Sequence, residues 1–283
     1  MGYRGFRYDM VKGYGPEFIK IYNEAAKPEL SVGEYWDYNY ENVVGWIKGT
    51  GYSSAAFDFP LKNIINEAFG RGNWGALTYK GVAGDPNMSR YAVTFVDNHD
   101  TYRNEHNEQL QNNVLAANAF ILAMPGTPCL FLPHWKTYQA ELEKMIAARK
   151  EAGITNQSRI VSGRYYDGGY VTIVQGERSK IMVVSGFPKN IDTRGYTPVS
   201  VGTPENPNYA FYKETTPAKD ITLYIEANEQ PLRLYAWTDD NTQLTDAYPG
   251  TLLTKKRMVG DKQFYYMTFK ADRLNFLLNK GSE

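Results

Sequence analysis

Hydrophobic positions recur with two different periods along the chain, and the change falls near residue 154. Before it, short apolar runs alternate with longer segments whose apolar residues return every three or four positions, which is the pattern of strands followed by helices. The predicted strands are 4–9, 30–34, 55–59, 91–97 and 128–133. Because each is followed by a helix or a long loop, the pattern predicts a parallel sheet with helices outside it.

Proline and glycine mark where the predicted helices begin and end. Pro16 stands where a first helical turn accepts proline, and Pro28 stops that helix. Gly70 and Gly153 end two later helices. Segment 112–124 is apolar on nearly every side, so we expect a deeply buried helix there.

After residue 154 helical periodicity stops and the pattern becomes all-β. Short alternating runs are separated by Gly, Pro, Asn and Asp, the residues that form turns. The predicted strands of this part are 170–176, 179–186, 209–213, 221–227, 232–237 and 263–269. Segment 190–208 is expected to be a loop, and the polar, proline-bearing 213–220 predicts a boundary. The pattern therefore divides the chain into 1–154, 155–217 and 218–283.

Composition narrows the class of protein. Of 283 residues, 42% are hydrophobic and 22% charged, and 31 basic residues balance 31 acidic ones. We therefore expect no nucleic-acid partner, and no apolar run approaches the ~20 residues that span a membrane. Cys129 is the single cysteine, which excludes an internal disulfide and a cysteine-built metal site. The 14% aromatic content matters because sugars stack on aromatic faces.

Acidic residues follow three of the predicted strands. Asp9 ends the first strand, two positions after Arg7, and Glu34 ends the second. Asp100 follows the fourth strand, directly after His99. Reactive residues of parallel α/β barrels lie at the carboxyl ends of the strands, so we expect these side chains to converge. Glycosidic cleavage needs an ionised carboxylate and a protonated carboxyl, ~5–5.5 Å apart where configuration is retained. The set therefore predicts a glycosidase site.

Each of these residues also has a structural alternative. Asp and Glu at strand ends commonly cap helices or form turns, Arg7 could be an ion-pair partner at the core edge, and His99 could satisfy a hydrogen bond. The spacing of His99 and His106 fits no standard metal motif, so we expect no metal between them. Converging carboxylates repel one another, which favours catalysis over a purely structural role.

The motifs GFRYDMVK, VGEYW and FVDNHD resemble, in order, three of the four signature regions of glycoside hydrolase family thirteen, the α-amylase family. PGTPCLF and ARKEAGI resemble the last barrel strand and helix of its plant-type α-amylases. The resemblance implies a partial (β/α)8 barrel, strands four to eight, over 1–154 and the family's β-sheet C-terminal domain over 155–217. It also implies retaining hydrolysis of internal α-1,4-glucosidic bonds in starch-like glucans.

The same resemblance implies a role for each matched residue. Asp9 matches the nucleophile, Glu34 the general acid/base, and Asp100 the acid that holds sugar hydroxyls and stabilises the transition state. The matched substrate-binding positions around them are Arg7, Lys12, Trp36 and His99. The family often places a backbone carbonyl on calcium near Gly13, so calcium is the implied cofactor, with most of its site expected outside this chain.

The tail from residue 218 resembles a starch-binding module of carbohydrate-binding family twenty-six, through LYAW, YPG and NFLLNKG. Tyr235 and Trp237 are two positions apart on a predicted strand, so both rings point to one face. Together with Tyr248, where such modules usually carry Trp, they would form a platform for glucose units. The alternative is that Trp237 anchors the core of a small sandwich.

The resemblance covers part of the family's architecture. Five of eight barrel strands precede the β-rich part, the first signature region has no counterpart, and the tail stops before a final strand, so both ends are expected to be truncated. A five-stranded remnant exposes two edges, so we expect this chain alone to be inactive. Because starch cannot cross a membrane, we expect an exported or cell-surface protein.

Two other functions fit the motifs. One is a non-catalytic glucan-binding protein, against which the acid pair argues, because binding alone does not require it. The other keeps the family but changes the reaction to transglycosylation or branching, which the loops around the acceptor sugar decide. The chain's partner in every case is an α-glucan.

Overall fold

A computed structural model of the chain describes residues 2–103, 108–215, 219–228, 232–238, 242–271 and 273–280. The chain forms two compact units, Met1–Glu214 and Thr215–Glu283. Within the described ranges, no helix is long and apolar enough to cross a membrane.

A five-stranded parallel sheet opens the first unit, with its strands side by side in chain order. The strands are β1 (Gly5–Tyr8), β2 (Leu30–Gly33), β3 (Ala55–Phe57), β4 (Ala92–Phe95) and β5 (Thr127–Cys129). In the β1–β2 register, Arg7 lies opposite Val32 and Tyr8 opposite Gly33. Among the described strands, β1 and β5 are the two edges, so the sheet is open rather than a closed barrel. The carboxyl ends of all five strands meet at one edge of the sheet, where the candidate acids lie.

Six α-helices accompany this sheet in the described part of the chain. They are α1 (Pro16–Ala26), α2 (Tyr40–Gly49), α3 (Phe59–Ile65), α4 (His99–Tyr102), α5 (Val114–Ala123) and α6 (Leu132–Ala152). Helix α5 is buried along nearly its whole length, as its uniformly apolar sequence predicts. Helix α6 begins at Leu132, inside the segment predicted as the fifth strand, because Pro133 suits a first helical turn better than a strand interior.

An antiparallel sheet completes the first unit, with strand order β6-β7-β8-β10-β9. Its strands are β6 (Arg159–Tyr166), β7 (Gly169–Gln175), β8 (Lys180–Gly186), β9 (Tyr196–Val201) and β10 (Tyr209–Glu214). The expected loop over 190–208 is therefore wrong, because it contains β9. That strand, YTPVSV, carries Pro198, which an edge strand accepts because one side of its backbone needs no partner.

The second unit consists of two three-stranded antiparallel sheets, in the orders β11-β15-β14 and β13-β12-β16. Its strands are β11 (Lys219–Glu226), β12 (Leu232–Trp237), β13 (Thr251–Leu252), β14 (Lys256–Val259), β15 (Lys262–Ala271) and β16 (Asn275–Lys280). Its own hydrophobic core is formed by Leu232, Leu234, Ala236, Leu253, Tyr265 and Phe269. The predicted fold class is confirmed: a parallel α/β part is followed by antiparallel β-sheets.

Asp58, directly after β3, is a fully buried carboxylate that organises the main chain beside the sheet. It accepts hydrogen bonds from the amides of Leu61, Val82 and Ala83 at 2.8–3.1 Å. Burial raises the pKa of Asp58 from 3.8 to about 6, although the three amides act in the opposite direction.

The raised pKa of Asp58 predicts a pH-dependent stability. The folded state binds the proton more tightly than the unfolded state, so this group's contribution to the free energy of unfolding decreases as pH rises from about 4 to about 6. A two-unit shift corresponds to roughly 3 kcal/mol. Urea unfolding of wild type and Asp58→Asn at about pH 4 and about pH 6 measures this contribution to the free energy of unfolding. Wild type is expected to lose stability relative to the variant on going to the higher pH, and a pH-independent difference would contradict the account.

Candidate active site

Arg7 joins the first two candidate acids. It lies on β1, and its guanidinium donates to the carboxylate of Asp9 and, over 2.6 Å, to Oε1 of Glu34. Asp9 follows β1 and Glu34 follows β2, so the parallel pairing of these strands brings their carboxyl ends together. One cation thus holds two carboxylates that are 25 positions apart in sequence on the same edge of the sheet.

Glu34 and Asp9 occupy different environments. Glu34 is 5% exposed, whereas the side chain of Asp9 is 63% exposed. Burial raises the pKa of Glu34, and the charge and hydrogen bond of Asp9 act in the same direction, although Arg7 and the amide of Met10 oppose them. A buried carboxyl beside an exposed carboxylate is the asymmetry that separates a proton donor from a nucleophile.

Hydrogen bonds and an ion pair connect the segment after Glu34 to the turn that follows Asp9. The Lys12 ammonium donates to the carbonyl of Trp36 at 3.1 Å and to Asp37 at 3.0 Å, and it lies 5.3 Å from the ring centre of Tyr35. The amide of Asn39 and the ammonium of Lys12 lower the pKa of Asp37. Lys12 therefore links the loops that carry the first two acids.

Trp36 lies half-buried in the same loop. Its ring stacks on Phe59 with the ring centres 4.9 Å apart, and its indole nitrogen donates to the Tyr38 hydroxyl over 3.1 Å. Burial, followed by a hydrogen bond with Glu108, raises the pKa of Tyr38, so that hydroxyl stays protonated. The Trp36 ring is therefore held two positions after Glu34, in the loop that follows β2.

Asp100 and His99 lie in the first turn of α4 rather than on a strand. The capping residue is Asn98, whose side chain accepts hydrogen bonds from the amides of Asp100 and Thr101. Asn98 and Asp100 therefore do not share a strand face, because β4 already ends at Phe95. His99 Nε2 lies 3.2 Å from Asp100 Oδ2, and both side chains are partly open to solvent.

The structure thus brings the three acids to one edge of the sheet in two groups. Asp9 and Glu34 are joined directly through Arg7, whereas the ion pairs of Asp100 in the described part of the chain are with His99 and Arg103. Asp9 and Glu34 differ in burial, and Asp100 follows β4, two strands along the sheet from β2. Such a set of carboxyls can support acid–base and nucleophilic chemistry on a sugar.

The sequence did not reveal the buried charges behind Asp100. Lys62 on α3 and Asp97 after β4 form an ion pair of 2.7 Å with no exposed side-chain surface, and His134 on α6 lies 3.4 Å from the other oxygen of Asp97. From the sequence alone, Asp97 is a structural or substrate-rim residue, and Lys62 is not singled out. A lysine among the apolar residues of the helix stretch PLKNII was the available signal, since buried lysines need partners.

The described residues do not by themselves fit calcium. Calcium takes six to eight oxygen ligands, usually several carboxylates. No group of three or more His, Cys, Asp or Glu side chains in the described ranges could hold a metal ion, and Gly13 offers only a main-chain carbonyl. His106 lies outside the described residues.

In the second unit, Tyr235, Trp237 and Tyr248 lie together. The ring centre of Tyr235 is 5.4 Å from that of Trp237 and 6.0 Å from that of Tyr248. On β12 the buried positions are Leu232, Leu234 and Ala236, so the intervening rings point away from the core. Trp237 is therefore not the core anchor that the alternative interpretation required.

Comparisons with known proteins place the chain near α-amylases. It is 33% identical over 201 residues to Probable alpha-amylase 2 of Arabidopsis thaliana, covering 63% of this chain and 48% of that protein. It is 32% identical over 208 residues to a glucan 1,4-alpha-maltotetraohydrolase of Roseateles saccharophilus, covering 64% and 36%. No family model matches the chain. The resemblance to α-amylases that the motifs carry is confirmed by these relatives.

One solved structure supports the fold. The ligand-free cyclic α-maltosyl-(1→6)-maltose hydrolase of Arthrobacter globiformis aligns with 75% of this chain and 56% of its own, with a TM-score of 0.51 and 12% identity. At that identity the similarity concerns the fold alone. The chain spans less than half the length of either curated relative named above.

Proposed function

From the relationship of this chain to α-amylases, we propose that it carries the acids of an enzyme that hydrolyses internal α-1,4-glucosidic bonds in starch-like glucans. The bridge from Arg7 to Asp9 and the buried Glu34 is the observation that supports this most directly. Because starch is a polymer that does not cross membranes, the proposal places the enzyme outside the cytoplasm, exported or at the cell surface.

The proposed mechanism is a double displacement with retention of configuration. Asp9, which is paired with Arg7, attacks the anomeric carbon, while Glu34 donates its proton to the leaving oxygen. A glycosyl–Asp9 ester forms as the glycosidic bond breaks. Glu34, now a carboxylate, takes a proton from water, and the resulting attack on the anomeric carbon releases Asp9. Asp100 accepts hydrogen bonds from sugar hydroxyls next to the breaking bond.

The proposed chemistry requires the parallel sheet to be closed into a barrel. The edge strands β1 and β5 are open in the described part, and the side chain of Asp9 is largely exposed to solvent. Electrostatic stabilisation of a transition state is weak in a site that water enters freely. We therefore propose that the chain alone lacks hydrolase activity and that three further barrel strands complete the site.

The test compares this chain with a closed-barrel fusion, in which the N-terminal part of the related Arabidopsis α-amylase supplies the other strands. Both are assayed on blocked maltoheptaoside and on starch. We expect release of reducing ends by the fusion and none above background by the chain alone. A folded fusion that cleaves neither substrate would overturn the function. Robust turnover by the chain alone would overturn the requirement for closure, and chain transfer in excess of hydrolysis would indicate a transglycosylase.

We further propose that the second unit binds α-glucan chains through Tyr235, Trp237 and Tyr248. The support is their shared exposed face, since Tyr248 is 61% exposed, and ring contacts with sugars contribute about 1 kcal/mol each. Loss of the Trp237 ring is expected to weaken starch binding roughly five- to tenfold.

Pull-down of the chain on starch granules measures this loss in Trp237→Ala. Tyr224→Ala, on β11 of the other sheet, is the matched control, because it removes an exposed ring from the same unit. Equal binding by wild type and Trp237→Ala would contradict the proposal, and so would an equal loss in the control.

A further inference from the structure

We infer that the buried network of Lys62, Asp97 and His134 positions the helix that carries Asp100, and so orients the third acid towards the sugar. The inference depends on the proposed function only for the role of Asp100 in sugar binding. The position of the network is given by its hydrogen bonds and ion pairs. All three residues lie outside the open site, so none of them touches substrate. They are positioning residues rather than catalytic ones.

Asp97 collects donors from four parts of the chain. Lys62 Nζ on α3 lies 2.7 Å from Oδ1, and His134 Nε2 on α6 lies 3.4 Å from Oδ2. The Thr101 hydroxyl on α4 donates over 3.1 Å, and the amide of Leu110 lies 3.3 Å from both oxygens. Two carboxylate oxygens accept about four hydrogen bonds, so this carboxylate is fully used.

Lys62 and His134 each make a further hydrogen bond on the side away from Asp97. The ammonium of Lys62 also donates to Asn66 Oδ1 over 2.9 Å. The side-chain Nδ2 of Asn118 on α5 lies 3.3 Å from His134 Nδ1 and donates to it. Because Nδ1 accepts, the proton of the ring is on Nε2, which faces Asp97. The network therefore ties α3, α5 and α6 to a single carboxylate two positions before His99.

The connection from Asp97 to Asp100 passes through Thr101. Its hydroxyl donates to Asp97 and accepts from the amide of Asn98 over 2.9 Å, which fixes the residue that caps α4. Helix α4 has four residues, and a helix of that length has no stability of its own. Its orientation, and with it that of Asp100, depends on this cap.

A purely stabilising role of the network makes a different prediction. Replacing a buried ion pair by apolar side chains of similar volume is often neutral for stability, whereas removing one partner alone is costly. The double variant Lys62→Met/Asp97→Leu therefore avoids an unpaired buried charge, and a purely stabilising role predicts no change at His99 while the variant is folded. It removes the charges together and takes away the acceptor that Thr101 and Leu110 use.

The experiment reads the imidazole resonances of the isotope-labelled chain by NMR. The chain has three histidines, so His99→Gln and His106→Gln assign all of them. In the double variant we expect a lower thermal midpoint, because the Leu110 amide and His134 lose their acceptor, and a clear displacement or broadening of the His99 resonance at temperatures where the variant is folded. In the parallel double variant Lys180→Met/Glu214→Leu, which removes an ion pair of the antiparallel sheet, we expect His99 to be unchanged. An unchanged His99 resonance in the first double variant would overturn the inference.

A second pair of variants keeps the inference testable if the double variant does not fold. Thr101→Val keeps the shape of the side chain but removes the hydroxyl, whereas Thr101→Ser retains it. We expect Thr101→Val to displace the His99 resonance and Thr101→Ser to leave it near its wild-type position. The same displacement in both variants, or in neither, would contradict positioning through Thr101.

Maltoheptaose, added to the same samples, separates this inference from the proposed function. Maltoheptaose is expected to perturb His99 in wild type and to bind about tenfold more weakly, or worse, in Thr101→Val, as the loss of an oriented charged acceptor implies. Absence of any perturbation in wild type would count against the glucan site. The comparison of His99 between variants without sugar would still decide whether the network positions α4.

Discussion

Glu34→Gln in the closed-barrel fusion is expected to lower kcat on starch by roughly 10²–10⁴-fold, because the leaving oxygen then departs without a proton. Glutamine keeps the shape of the side chain and its contact with Arg7 through the carbonyl oxygen, so folding should be preserved. Steady-state release of reducing ends measures the effect.

A substrate that needs no acid distinguishes this role from a general loss of the site. α-Maltosyl fluoride has a leaving group that departs without protonation, so Glu34→Gln should still form the glycosyl–enzyme from it. Glu24→Gln, an exposed glutamate of α1 paired with Lys20, is the matched control and should keep full activity. Wild-type starch hydrolysis by Glu34→Gln would remove Glu34 from the mechanism.

Arg149→Met is expected to destabilise the first unit by about 3 kcal/mol, because it leaves buried main-chain acceptors unsatisfied. Arg149 is buried on α6, and its guanidinium closes the end of α5. It donates to the carbonyls of Leu122 and Met124, both at 2.6 Å, and of Gly126 at 2.9 Å. Burial lowers the pKa of Arg149 to about 10, so it stays charged at neutral pH.

The measurement is the thermal midpoint of the first unit, which should fall by about 6–12 °C for that loss. Arg178→Met is the matched control, because Arg178 also donates to main-chain carbonyls, those of Lys150 and Glu151, but is exposed. Its substitution should change the midpoint little, since exposed polar contacts contribute little to stability. Equal effects of the two substitutions would show that burial of the acceptors is not the cause.

The sequence predicted the parallel sheet well because its signals are local. Each short apolar run is followed by helical periodicity or by Gly and Pro, and these patterns need no knowledge of distant contacts. Strand β9 was missed because it contains Pro198, which a strand tolerates only at the edge of a sheet. Whether a strand lies at an edge is decided by the assembled sheet and not by the local sequence. Helix α2 was also missed, although Asn39 caps it by accepting from the amides of Glu41 and Asn42.

The site was predictable where its residues lie at strand ends, and not where they are buried behind them. Arg7, Asp9 and Glu34 are charged residues next to apolar runs, so their positions in a parallel sheet follow from the pattern. Lys62 on α3 and His134 on α6 lie 35 and 37 positions from Asp97 and meet it only in the folded chain. The pairing of buried charges depends on tertiary packing, which no local period encodes.

Identification of the nucleophile tests the account most directly. A fluorinated α-maltosyl fluoride forms the glycosyl–enzyme faster than water cleaves it, because fluorine destabilises the positively charged transition state while fluoride is a good leaving group. The closed-barrel fusion is treated with it, digested and mapped by mass spectrometry. The account predicts a single added disaccharide, on the peptide that contains Asp9, and no label in Asp9→Asn. Label on another carboxylate, or starch hydrolysis with inverted configuration and no labelled peptide, would contradict it.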